Sequence, residues 1–181
     1  MRWVLLLVHL PTEPSRHRVA VWRELRRLGA LSIGPGAWAV PAVAAFTERI
    51  QRAIELAGRG DGEVLVLDAA AHDEATAARL AALFTQAREA EWTEFTTECD
   101  RFEAEIAKEI RIGKLTLAEL EEEEQSLERL RRWWRDLKTR DVFALPAAVA
   151  AELRLKACIE ALEDYAERVY QAVHEPSRRQ A

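Results

Sequence analysis

The apolar residues of this chain change their period once, near residue 70, and that change limits the fold more than any other feature. Before it, short runs of strand and helix character alternate, punctuated by proline and glycine. Residues 3–10, WVLLLVHL, form a continuous β-prone run that predicts a buried strand, and Pro11 and Pro14 bracket the turn that follows. A helix is expected from Pro14 or Ser15 to Gly29. Residues 30–33 and 37–40 are short apolar runs on either side of Gly34-Pro35-Gly36, a hairpin signature because glycine supplies the positive φ that a tight turn demands. Residues 43–57 carry Phe46, Ile50, Ile54 and Ala57 at helical spacing until Gly58, Gly60 and Gly62 break the pattern, and residues 63–68, EVLVLD, predict a short buried strand. The order is βαββαβ, a ferredoxin-like unit with an antiparallel four-stranded sheet and two helices on one face.

After Asp73 the pattern is helical almost throughout. A first long helix starts at an Asp cap and carries Leu80, Phe84, Ala87, Phe95, Cys99, Phe102 and Ile106 before Gly113. A second opens with the capping box Thr116-Leu-Ala-Glu119 and sets Leu120, Leu127 and Trp134 at sevenfold spacing beside Leu130 and Leu137. A third follows Pro146, where Leu155, Leu162 and Val169 interleave with Ile159, Ala166 and Val173. Such seams must be buried against partner helices, either in an antiparallel three-helix bundle within the chain or in a helical homodimer. The fold class is therefore α+β: a ferredoxin-like unit over residues 1–70, an antiparallel bundle of long helices over 71–175, and a disordered tail over 176–181.

No apolar run reaches the roughly 18 residues of a membrane span. The first ten residues have neither an extended charged region nor a small-residue cleavage site, so they read as a strand and the protein as cytoplasmic. Cys99 and Cys158 are the only cysteines, each among apolar helical positions, and are expected as small core residues without a disulfide framework or metal site. The chain has no GxSxG, HExxH or glycine-rich phosphate loop, so no catalytic residue, metal ligand or cofactor is expected and the protein reads as a non-enzyme. Glu121 to Glu124 point in four directions around a helix and cannot converge on one ion; they read as an acidic first turn favoured by the helix dipole.

Charge is distributed unevenly along the chain. Residues 1–60 hold nine arginines and no lysine against four glutamates, a net +5, whereas the remainder holds 17 basic and 27 acidic residues, a net −10. On a helical wheel Arg16, Arg23 and Arg27 cluster on one side of the first helix, with Val19, Val21, Trp22, Leu25 and Leu28 on an arc expected to pack on the sheet. Arg18 and Arg26 lie nearer that arc and are expected to reach out along its flanks. These five arginines are the candidate nucleic-acid-binding residues, because a single-sign stripe can neutralise several phosphates. The competing reading is a solvated face paired with Glu121 to Glu124 of the same or a second chain. His9 and His17, together with Arg16, form a candidate anion-binding group at the first turn.

Several of these stretches carry a family resemblance. The runs WVLLLVHLPTEPSRHRVAVWRELRRLGAL, GPGAWAVPA and GKLTLAELEEEEQSLERLRRWWRDLKTRDVF together resemble the N-terminal region of the ChrB family of chromate-resistance regulatory proteins, from Arg2 to about Val173. The segment VWRELRRLGALSIGPGAWAVP is also similar to the central domain of PaaX-type transcriptional repressors, which shares the ferredoxin-like fold of the small CRISPR adaptation endonucleases. Those endonucleases hold a divalent metal with an aspartate at the end of the first strand; the matching position here is near His9-Leu10, so nuclease activity is not expected. The ChrB resemblance implies a cytoplasmic bacterial protein that binds promoter DNA to control a chromate-efflux operon, with chromate oxyanion as a candidate ligand and a homodimer as the expected assembly. Full ChrB-type proteins carry a further C-terminal domain, and this sequence stops just after its third long helix.

Overall fold

In the computed structural model, which describes residues 1–174, the order of elements is β1 (Arg2–His9), α1 (Ser15–Leu28), β2 (Leu31–Gly34), β3 (Ala37–Pro41), α2 (Thr47–Gly58), β4 (Glu63–Ala70), α3 (Glu74–Ile112), α4 (Leu117–Arg140) and α5 (Pro146–His174). The expected disordered tail lies outside the described residues. The described chain divides into two compact units, residues 1–88 with 139–143, and residues 89–138 with 144–174. The first unit thus runs past Ala70 to take in the start of α3, the last two residues of α4 and the three residues that follow them.

In the first unit the strands form one sheet in the order β2-β3-β1-β4, with every pairing antiparallel. β1 sits inside the sheet, with Leu5 opposite Ala39 of β3 on one side and Leu67 of β4 on the other. The hairpin between β2 and β3 requires glycine at 36, where φ is +68° and a Cβ would lie 2.8 Å from the Val8 carbonyl oxygen. That close approach lets the Val8 N–H donate to the Gly36 carbonyl at 2.7 Å. Trp3, Leu6, Val21, Leu25, Leu28, Val40, Phe46 and Phe84 are fully buried and form the core of the unit. Phe84 sits edge-on between Trp3 and Phe143, with ring centroids 6.1 and 5.1 Å away.

The strand at 63–68 is not buried as its composition predicts. Sheet order puts β4 at an edge, so it pairs on one side only, and Leu65 and Leu67 remain 48% and 47% exposed while Val64 alone of its apolar residues is buried. An apolar hexapeptide reads the same whether it is central or at an edge.

In the second unit the helical seams close on one another within the chain. Phe95, Cys99, Phe102 and Ile106 of α3 share a core with Leu127, Leu130 and Leu137 of α4 and with Leu155, Cys158, Leu162, Tyr165 and Val169 of α5. Val173, expected on the same seam, is exposed one turn beyond the last buried position, Val169. The adjacent Trp133 and Trp134 are both partly buried against this core, and Trp133 meets Phe95 edge-on at 5.4 Å. Cys99 and Cys158 are fully buried free thiols, and the Cys158 Sγ donates to the Cys99 carbonyl at 3.5 Å. The Tyr165 hydroxyl donates to the Lys114 carbonyl at 2.7 Å and holds the α3–α4 turn; burial raises its pKa above the ordinary tyrosine value. No helix among the described residues is long and apolar enough to cross a membrane.

Candidate nucleic-acid interface

The local sequence of α1 fixes both its ends and its outward face. Pro14, in extended conformation, precedes the first turn, which contains no acidic residue, while Arg26 and Arg27 fill the last turn, where positive charge complements the carbonyl end of the helix. Gly29 closes the helix in the left-handed region at φ 76°; its N–H donates to the Arg26 carbonyl and the Ala30 N–H to the Leu25 carbonyl, each at 3.0 Å. The cap is pinned from outside: Arg88, itself buried, donates from Nη1 to the Gly29 carbonyl at 2.7 Å, and Arg140 donates to the Arg27 carbonyl at 3.3 Å. A Cβ at position 29 would collide with the Arg88 guanidinium.

Four residues of α1 are buried: Val21, Glu24, Leu25 and Leu28. Glu24 is held by Arg49 of α2 at 3.3 Å, so the only carboxylate on α1 faces inward and is already paired. Arg16, Arg18, Arg23, Arg26 and Arg27 are all exposed. Among the described residues none of the five stands within 4.0 Å of a carboxylate. Arg18 and Arg26, expected at the flanks of the apolar arc, therefore share the outward surface with Arg16, Arg23 and Arg27.

Val19 and Trp22 do not pack on the sheet as the wheel predicts. Val19 and Leu28 are nine positions apart, half a turn out of phase at about 100° per residue, so they cannot face one sheet together. The structure buries Leu28 and leaves Val19 41% and Trp22 52% exposed. The Arg26 guanidinium carbon lies 5.9 Å from the centre of the Trp22 ring. Sequence reading missed this exposed indole: the phase offset shows that the apolar arc is too wide for one face, but not which end of it the sheet buries.

Of the candidate anion-binding residues, Arg16 and His17 adjoin each other, and His9 lines a depression that includes neither. Arg16 Nε hydrogen-bonds His17 Nε2 at 3.3 Å on the surface, and His17 packs where a Cβ on Gly60 would otherwise lie. His9 lines a shallow depression with Leu10, Pro11, Asp61, Gly62 and Glu63, so an anion entering there meets two carboxylates. A larger groove of about 940 Å³ beside α2 is lined by Glu24, Glu48 and Glu55 as well as Arg49 and Arg52, and presents both signs of charge. Glu121, Glu122 and Glu124 point to solvent while Glu123 is partly buried, and no group of three or more His, Cys, Asp or Glu among the described residues is placed to hold a metal ion. The outer face of α1 therefore stands apart: it is long, cationic and free of carboxylate, with an apolar ring in its middle, and it can take phosphates on its guanidinium groups.

A family model described as Protein ChrB, N-terminal, matches residues 18–176. The chain belongs to the ChrB N-terminal family. Protein ChrB of Cupriavidus metallidurans is 34% identical to it over 115 residues, a stretch that covers 60% of this chain and 36% of that protein. The chain thus corresponds to about a third of the length of that curated relative. The ChrB N-terminal match takes in Arg18, Trp22, Arg23, Arg26 and Arg27, whereas His9, Arg16 and His17 lie before it.

Proposed function

We propose that this ChrB-family chain is a non-catalytic, cytoplasmic regulatory protein associated with chromate resistance, which binds promoter DNA through the outer face of α1 and so controls a chromate-efflux operon. The observation that carries this reading is the set of five exposed arginines on one helix, with the helix's own carboxylate turned inward onto Arg49. Guanidinium groups spaced along a helix of 14 residues, about 21 Å long at 1.5 Å per residue, can follow a phosphate backbone over several nucleotides. Arg23 and Arg27, one turn apart, with Arg16 two turns before Arg23, are the phosphate contacts of the central line; Arg18 and Arg26 extend the surface to one side. Chromate enters as the signal that relieves binding, an assignment that rests on the family resemblance.

The test is a binding titration with a duplex from upstream of the protein's own gene, beside an unrelated duplex of equal length, over a range of salt concentrations and with and without chromate. Tighter binding to the upstream duplex, weakened by chromate and by the triple substitution Arg16→Ala, Arg23→Ala, Arg27→Ala, supports the reading. Binding by the triple variant equal to that of the wild type at every salt concentration removes these residues from the interface. The alternative is a structural or interaction protein whose helices assemble a homodimer. It draws less support because the seams on α3, α4 and α5 are satisfied within one chain and do not require a second.

A further inference from the structure

We infer that Trp22 is a nucleobase-binding residue, which stacks its indole on an unstacked base of the bound nucleic acid while the flanking arginines hold the adjoining phosphates. The inference rests on the reading of α1 as a DNA-facing surface and adds to it a site for the base itself. Trp22 is 52% exposed on a helix whose other large apolar residues, Leu25 and Leu28, are fully buried. Its neighbour three positions earlier, Val19, is 41% exposed, so the two form a small apolar patch on the solvent side. That patch lies within cationic surface. Arg18 and Arg26 are four positions to either side of Trp22, about 6 Å along the helix axis in each direction, and the Arg26 guanidinium already sits 5.9 Å from the indole centre.

A flat apolar ring between two guanidinium groups is complementary to one nucleotide and its neighbours, with the π face for a base and a charge for each flanking phosphate. A protein partner would have to bring carboxylates to all five arginines as well as an apolar group to the ring, whereas a nucleic-acid strand carries both features at every residue. In a fully paired duplex the faces of the bases are covered by stacking. The site therefore selects DNA in which a step is opened, as at a mismatch, a bubble or a flexible pyrimidine–purine step.

The experiment uses the full chain and three probes: a fully paired duplex from upstream of the gene, the same duplex with a central two-base bubble, and the corresponding single strand. A 2-aminopurine placed in the bubble reports stacking directly. The wild-type protein is expected to bind the bubble about tenfold or more tightly than the paired duplex, within the range that a single base–aromatic stack contributes, and to quench the 2-aminopurine. Trp22→Ala is expected to lose that preference and the quenching, Trp22→Phe to keep most of both, and Arg23→Ala to reduce the salt slope while leaving the preference intact. Equal binding of bubble and duplex by the wild type, or a preference that survives in Trp22→Ala, overturns the assignment while leaving the arginine interface standing. Loss of self-association in Trp22→Ala with DNA binding unchanged gives the face to a second copy of the chain and likewise overturns it. Absence of binding to all three probes overturns this inference together with the reading on which it rests.

Discussion

On the helical bundle, basic side chains are matched to carboxylates close by. Lys108 meets Glu105 at 2.6 Å, Lys114 meets Glu119 at 2.5 Å, Arg135 meets Glu128 at 3.1 Å and Arg168 meets Asp164 at 2.8 Å, and Arg101 is paired with Glu98 and Arg154 with Asp100. On α1 of the α/β unit five arginines share one outward surface, and the helix's own carboxylate is buried under them against Arg49. Both regions are rich in charge, but only in the bundle is the charge neutralised locally. Exposed pairs of that kind contribute little to stability, typically 0–1 kcal/mol each. Their consequence is that the bundle, whose basic groups are paired and whose acidic residues are in excess, offers no net attraction to a polyanion, whereas α1 offers a concentrated one.

The largest expected effect tests the bundle as a scaffold. Phe95 is fully buried and touches Trp92 and Trp133 edge-on at 6.1 and 5.4 Å. Phe95→Ala should cost about 3–5 kcal/mol by denaturant titration, the usual range for emptying an aromatic site in a core. DNA affinity measured on the folded fraction should not change. A folded variant that binds DNA less well would break the division of roles between the two regions.

The next effect compares two sets of three arginines. Removing Arg16, Arg23 and Arg27 should lower the slope of log affinity against log salt by about 3, close to one per phosphate contact. Removing Arg131, Arg135 and Arg168 from the bundle, where each has a carboxylate within 4.0 Å, should leave the slope near its wild-type value. Equal losses from the two sets would mean that overall charge, rather than the α1 face, governs binding.

How far the sequence could carry this comparison depended on whether a signal was local. The α1 boundaries were legible because Pro14 and Gly29 act within their own turn, and the hairpin because Gly36 occupies a position with φ +68°. The seams on α4 and α5 were legible as periodic rows, but which helices they met was not, since a heptad row is equally content with a partner from another chain. Chain closure, seen in Leu127 and Leu155 sharing one core, settles that for the described residues. Exposure of Leu65 and Leu67 depends on strand order, a non-local property, and exposure of Trp22 on which part of a wide apolar arc the sheet selects. The arginines were found at once because charge is visible in composition; the indole among them needed the tertiary structure.

A smaller effect concerns how the α1 face is held. Gly29→Ala forces an ordinary residue into φ 76° and sets its Cβ against the Arg88 guanidinium, which donates to the carbonyl of the same residue. The backbone strain alone is about 1–3 kcal/mol. The expected outcome is a lower denaturation midpoint with a DNA salt slope that is unchanged, because the outward arginines remain on the helix. A changed slope would show that the cap sets the register of the face as well as the end of the helix.

The smallest effect returns to the bundle, where local pairing is least complete. Glu123 is partly buried and has Glu105, Glu109, Glu119 and Glu122 around it; burial first, then those carboxylates, push its pKa above the usual glutamate value. The folded chain therefore holds this proton more tightly than the unfolded chain does. The stabilising contribution of protonated Glu123 is complete at acid pH below the ordinary glutamate value of about 4.3 and is lost as pH rises through the raised value, so at neutral pH the ionised side chain weakens the bundle. Glu123→Gln should then raise the melting temperature slightly at pH 7, with the gain shrinking toward zero as the pH is lowered past the glutamate range. Thermal melts of the two proteins across that interval check the sign. A variant that is less stable at pH 7 would mean that Glu123 is held by a favourable contact, and that the bundle neutralises its charge even at its most acidic point.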